Sequence, residues 1–137
     1  MEISATVINS ASTHEVTVRT GSTSQDLQVP AKATGRGSAV NGGEFLMLAL
    51  ATCYCNDLFR EAARLAIPID EVRVEATADF PGVGLAATHI RYRAVISSPA
   101  SPERLDQLLR ETDAVAEVHN TIRSGPPVSL LLTRTDK

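Results

Sequence analysis

A chain of 137 residues with 43% hydrophobic content has the length of one domain, 1–137, and enough apolar material for a real core. The formal net charge is −3, and the eleven arginines and two lysines are scattered, so no nucleic-acid partner is expected. Two cysteines make no disulfide framework, no basic leader precedes an apolar run, and no stretch offers the roughly 20 apolar residues of a membrane span. A cytoplasmic protein with reduced thiols and no membrane partner is therefore expected.

In chain order, Ile3, Ala5 and Val7 alternate with Ser4 and Thr6, which predicts a half-buried strand from Glu2 to Asn9. Ser10 to Thr13 reads as a turn. His14 to Thr20 gives a second strand, Gly21-Ser22 a turn, and Gln25 to Val29 a third strand ended by Pro30. Ala31 to Val40, with Gly35 and Gly37 around Arg36, reads as a loop.

The segment from Asn41 to Pro68 is the central helix. Asn41 with Glu44 three residues on forms a capping box, and Pro68 supplies the stop. Its first half, Phe45 to Ala51, is apolar on every side, the pattern of a helix buried all round. Its second half is amphipathic. Leu58, Phe59, Ala62 and Leu65 form the apolar stripe, with Asp57, Arg60, Glu61 and Arg64 on the remainder.

Beyond Pro68, alternation predicts strands over Glu71 to Phe80 and Leu85 to Ser97, joined through a Pro81-Gly82 turn and paired as a hairpin. Ser101-Pro102 starts a helix carrying Leu105, Leu108 and Leu109. Thr112-Asp113 is expected to interrupt it, Val115 to Arg123 to form another short helix, and Val128 to Thr133 a last strand. The order β-β-β-α-β-β-α-α-β defines an α+β domain, with antiparallel sheets curled around a long hydrophobic helix. One copy is a thin cover for such a helix, so a homodimer is expected.

Both cysteines, Cys53 and Cys55, fall where the buried half of the helix meets the amphipathic half. Residues two apart on a helix point to nearly opposite sides, so a disulfide between them demands local unwinding. Cys53 reads either as a small apolar residue or as a nucleophile, and a nucleophile needs a cation or dipole to lower its pKa. Asp57 lies one turn along and opposes ionisation. Arg60 lies two turns along, and any activating cation is expected from elsewhere, with Arg36 or a partner-subunit arginine the candidates. His14, His89 and His119 have no metal-ligand spacing with the Cys-x-Cys pair, so no metal is assigned. No phosphate loop or serine elbow is present, which removes nucleotide-dependent and hydrolase readings, and no cofactor is expected.

The stretch Glu44-Phe-Leu-Met-Leu-Ala-Leu-Ala-Thr-Cys53 resembles the Glu-Leu-Leu-Leu-Ala-Ala-Leu-Ala-Gly-Cys signature of the OsmC/Ohr family, the osmotically inducible and organic hydroperoxide resistance proteins. Ala66 to Glu75 resembles the family's helix exit and following strand, and Ala116 to Arg123 its later Cys-Pro-Val-Ser-Asn-Thr-Leu stretch. The resemblance implies an intertwined homodimer with sites at the subunit interface. It also implies reduction of hydroperoxides by a peroxidatic thiolate, here Cys53, with dithiols as external reductant. Three positions depart from the family. Ala116 and Glu117 stand where its resolving cysteine and proline would be, the first turn lacks its arginine, and Gly43 takes the place of its glutamate, one residue before Glu44. The site candidates are thus Cys53 as peroxidatic cysteine, Cys55 as a resolving cysteine or core residue, Glu44 as active-site carboxylate or cap, and Arg36 or a partner's arginine as activating cation. His119 lies near the missing resolving position. Two functions follow: reduction of a small-molecule peroxide, or a non-catalytic dimer that binds an apolar ligand.

Overall fold

The computed structural model describes residues 1–132. Its elements are β1 (Ile3–Asn9), β2 (His14–Thr20), β3 (Thr23–Leu27), α1 (Gly42–Arg64), β4 (Glu71–Asp79), β5 (Thr88–Ser97), α2 (Pro102–Val115) and α3 (Glu117–Ser124). The protein is α+β with two antiparallel sheets, β1-β2-β3 and β4-β5. The chain divides into two compact units, Met1–Leu46 and the residues from Met47 onward.

In the first unit, β1 pairs with β2 from Ile3↔Thr20 to Asn9↔His14, and β2 with β3 from Val16↔Leu27 to Thr20↔Thr23. Gly21 takes a φ of 57°, so the two-residue turn returns the chain at once. That is why β3 starts at Thr23, two residues before the expected Gln25. Val16 is buried, but Ile3, Val7 and Ile8 of β1 are exposed, contrary to the half-buried strand expected. A lone meander has no second layer of its own to cover them. The 31–38 loop closes on itself through an Ala31↔Ser38 bridge. The capping box of α1 forms as read: the Asn41 N–H donates to Glu44 Oε1 at 3.0 Å, and the Glu44 N–H to Asn41 Oδ1 at 2.8 Å.

In the second unit, Tyr54, Leu58, Ala62, Ile67, Leu108 and Ala116 form the core, with Val72, Val74, Tyr92, Ala94 and Ile96 of the hairpin packed against it. The alternation of β4 and β5 therefore faces this core as expected. β5 begins at Thr88 rather than Leu85, because the Leu85 N–H is taken by the Gly82 carbonyl within the preceding turn. Thr112-Asp113 does not interrupt α2. Thr112 is fully buried and its hydroxyl donates to the Leu108 carbonyl one turn back at 2.7 Å, so the helix runs on to Val115. The break comes at Ala116, whose backbone is extended. The strand expected over Val128 to Thr133 does not form among the described residues: Val128, Leu130, Leu131 and Leu132 are exposed and unpaired there, and Thr133 lies outside the described residues.

Three expectations for α1 also change. Leu48 and Phe59 are 56% and 50% exposed, so the helix is not covered all round. Asp57 and Glu61, assigned to a polar face, are instead buried, held by Arg60 and Arg64. Pro68 is not what ends the helix. Ala66 adopts a φ of 55°, the Ile67 N–H returns to the Ala62 carbonyl at 2.9 Å and the Ala66 N–H to the Ala63 carbonyl at 3.3 Å, which is a Schellman stop. An alanine in that left-handed conformation costs roughly 1–2 kcal/mol. Ala66→Gly is therefore expected to raise the unfolding free energy by about 0.5–1 kcal/mol, after the added freedom of the unfolded chain is subtracted. Urea unfolding of the pair of proteins measures it.

Candidate functional site

Cys53 and Asp57 are four residues apart on α1 and so share one face. The extended Ala116, fully buried, turns the chain from α2 into α3 and brings Glu117 to the same place. The Cys53 thiol lies 3.7 Å from Asp57 Oδ2 and 3.9 Å from Glu117 Oε2, a weak donor between two acceptors. Arg60 Nη1 bonds Asp57 Oδ1 at 2.8 Å and lies 3.9 Å from Glu117 Oε1. Arg60 Nε also reaches Glu61 at 3.3 Å, and Arg64 then joins Glu61 and Glu111, each at 2.9 Å. Cys53 thus stands at the end of a ladder of alternating charge.

The electrostatics follow from these neighbours. Burial pushes the Cys53 thiol above its ordinary value, and the Asp57 and Glu117 charges push the same way. The Val118 main-chain N–H pulls back without cancelling them. Burial likewise raises Asp57, partly countered by Arg60. The hydrogen bond from Arg64 leads the set that holds Glu61 below the usual carboxylate range. The sulfur at rest is a protonated thiol beside a carboxylate well placed to receive its proton. The Cys53 sulfur and one oxygen each of Asp57 and Glu117 lie within 4.8 Å of one another, close enough to meet on one ion. Arg60 already engages both carboxylates, and a thiol with a raised pKa keeps its proton rather than ligating.

His119 lies on α3, buried, with its ring 4.3 Å from that of Tyr92 and 5.7 Å from that of Tyr54. The Tyr54 hydroxyl donates to the Leu109 carbonyl at 2.7 Å, and burial pushes its pKa up to about 12. The Tyr92 hydroxyl donates to Asp113, which also pairs with Arg123 at 2.6 Å. Neither His119 ring nitrogen has a partner among the described residues. Burial, with Arg123 nearby, lowers its pKa. In the unfolded chain this histidine protonates at about 6.5, while in the fold it stays neutral to lower pH. The unfolded state then binds more protons, so stability falls as pH drops below that value. Relative to His119→Phe, the parent protein is expected to lose stability from pH 7 to pH 5, by no more than about 1.4 kcal/mol per pH unit. Parallel curves in denaturant titrations would remove this assignment.

Cys53 is joined by Asp57 and Glu117, not by the other candidates. Cys55 is a free, half-buried thiol. The Glu44 carboxylate is engaged in the capping box. Arg36, in the 31–38 loop of the first unit, donates from Nε to Asn9 Oδ1 at 3.0 Å and from Nη2 to the Asn9 carbonyl at 3.4 Å. Glu117 was missed as a site residue. Its signal was the resemblance itself, which aligns Ala116-Glu117 with the resolving segment and hence with the sulfur's surroundings.

The model of the OsmC-like protein family matches residues 35–131, and this chain belongs to that family. Among solved structures it is similar to the OsmC-like protein from Mycoplasma pneumoniae, with 20% identity, TM-score 0.64 and coverage of 90% of this chain and 87% of that one. An organic hydroperoxide resistance protein from Elizabethkingia anophelis gives 18% identity, TM-score 0.61 and coverage of 91% and 90%. The organic hydroperoxide resistance protein OsmC from Legionella pneumophila gives 17%, 0.60, and 90% of each chain. At these identities the likeness is one of fold. Comparison of the sequence with curated proteins finds no match. No helix of the described residues is long and apolar enough to cross a membrane.

Proposed function

We propose that this protein reduces organic hydroperoxides or hydrogen peroxide through Cys53, in a one-cysteine cycle that serves oxidative stress defence. The observation that carries the reading is the Cys53 thiol set against Asp57 and Glu117, with Arg60 bound to both carboxylates. Asp57 takes the thiol proton as the sulfur attacks the outer peroxide oxygen. The S–O bond forms, the O–O bond breaks, and the proton passes to the departing alkoxide, or hydroxide when the substrate is hydrogen peroxide. Sulfur is oxidised to sulfenic acid and the peroxide reduced to alcohol or water. An external dithiol then attacks the sulfenic sulfur and releases water. Its second thiol closes a disulfide on the reductant and returns Cys53 as thiol.

The protein works as a homodimer in this reading, supported by the exposed Leu48 and Phe59 on one side of α1 and by the uncovered apolar residues of β1. The free thiols suit a reducing, cytoplasmic setting. A second reading is a family member without peroxidase activity that binds an apolar small molecule. The raised thiol pKa favours it, since no cation contacts the sulfur among the described residues. Consumption of cumene hydroperoxide and hydrogen peroxide with dithiothreitol or dihydrolipoamide decides between them: turnover supports the first, and its absence with every dithiol leaves the second.

A further inference from the structure

The first unit carries a recess of about 280 Å³ between the β1–β2 turn and the 31–37 loop, and no aspartate or glutamate lines it. Lys32 and Arg36 do, along with Asn9, Ser10, Thr13 and His14. On a chain of net charge −3 this is unusual company. Neither Lys32 nor Arg36 has an ion pair among the described residues, so no carboxylate there competes for them.

The hydrogen bonds fix which donors remain. Arg36 spends two of the five N–H donors of a guanidinium on Asn9, which leaves three. Because Arg36 donates to Asn9 Oδ1, the other amide atom of Asn9 is the nitrogen, and it donates to His14 Nδ1 at 3.0 Å. The ring proton of His14 therefore sits on Nε2, a buried donor with no partner. Ser10 Oγ and Thr13 Oγ1 are 2.8 Å apart, so one hydroxyl donates to the other and the second keeps its proton for an outside acceptor. The concave surface has a surplus of donors, two fixed positive charges and no acid. Arg36 is anchored rather than free to swing, so its side-chain freedom is already spent before a ligand arrives.

We infer that this recess binds a small oxyanion, a phosphate or carboxylate group, between Lys32 and Arg36 over the Ser10–Thr13 turn. Charge-assisted hydrogen bonds from a planar guanidinium and an ammonium are the chemistry that such a group needs. The test is amide NMR of the full chain titrated with inorganic phosphate and, separately, with acetate, each against sodium chloride of equal ionic strength. Saturable shifts confined to the Ser10–Thr13 turn and the 31–37 loop are expected with at least one anion. Saturation by phosphate alone points to a phosphate-bearing ligand, and saturation by acetate to a carboxylate. Losing either cation is expected to weaken binding about tenfold, in Lys32→Gln and in Arg36→Gln alike. The Lys32 side chain makes no hydrogen bond or ion pair among the described residues, so Lys32→Gln keeps the test valid even if Arg36→Gln disturbs the Asn9 contact. Shifts that match the chloride control, or saturation unchanged in Lys32→Gln, would overturn the assignment.

Discussion

Replacing Cys53 by serine is expected to abolish dithiol-dependent consumption of hydroperoxide, whereas Cys55→Ser is expected to retain it. A serine hydroxyl in this place has neither the nucleophilicity nor the redox chemistry of sulfur, so no residual turnover remains. Cys55 makes no contact with the Cys53 sulfur, which meets carboxylates on both sides. Loss of turnover in Cys55→Ser would instead require local unwinding of α1 and a two-cysteine cycle. The same Cys55→Ser protein isolates the reactivity of Cys53. Its thiol lies above its ordinary value, so at neutral pH only a small fraction is thiolate. Alkylation by iodoacetamide should therefore keep rising from pH 7 to pH 9 without levelling off. A plateau near neutrality would reveal a cation on the sulfur that the single chain does not supply. Peroxide turnover that is flat over this range, beside steep alkylation, is the signature of Asp57 acting as base.

Leu108→Ala is expected to destabilise the protein by about 3 kcal/mol. Leu108 is fully buried in the core of the second unit, packed among Tyr54, Leu58, Ala62, Ile67 and Ala116, where α1, α2 and the hairpin meet. Removing its branched end forfeits the transfer free energy of the lost methyl groups and leaves a void that rigid neighbours on separate elements cannot close. Against a total of roughly 5–15 kcal/mol for a domain, this is a severe loss. The contrast is Val83→Ala on the exposed β4–β5 connection, expected to stay within about 0.5 kcal/mol. Urea unfolding of both variants reads the difference, and equal midpoints would mean that the core is organised around other residues.

The elements that sequence made legible are those whose signals are local. The capping box at Asn41 and Glu44, the Ser101 cap with Pro102 and the alternation of β4 each depend on residues within a few positions. Where the reading failed, a distant partner or a backbone angle decided. Val128 to Thr133 is apolar enough to suggest a strand, but a strand needs a neighbour that composition does not provide. Ala66 ends α1 in a conformation more usual for glycine, so the stop looked like the work of Pro68. Asp57 and Glu61 are charged and fall outside the apolar stripe, yet their arginines let them lie buried. The site shows the same division. Cys53 and Asp57 one turn apart were readable from helical spacing, while Glu117, 64 residues from Cys53, reached the sulfur only through the packing of α2 and α3.

The pair of carboxylates around Cys53 has a consequence for which thiols can restore the sulfur. Arg60 offsets one of the two negative charges and leaves the surroundings of the sulfur anionic. A charge–charge approach to about 4 Å in water-like surroundings is worth about 1 kcal/mol, or roughly a fivefold change in rate. An acidic tripeptide thiol therefore meets repulsion on its way to the sulfenic sulfur, and a neutral dithiol does not. In the proposed cycle, the groups that keep the resting thiol protonated would also act as a charge filter on the reducing thiol.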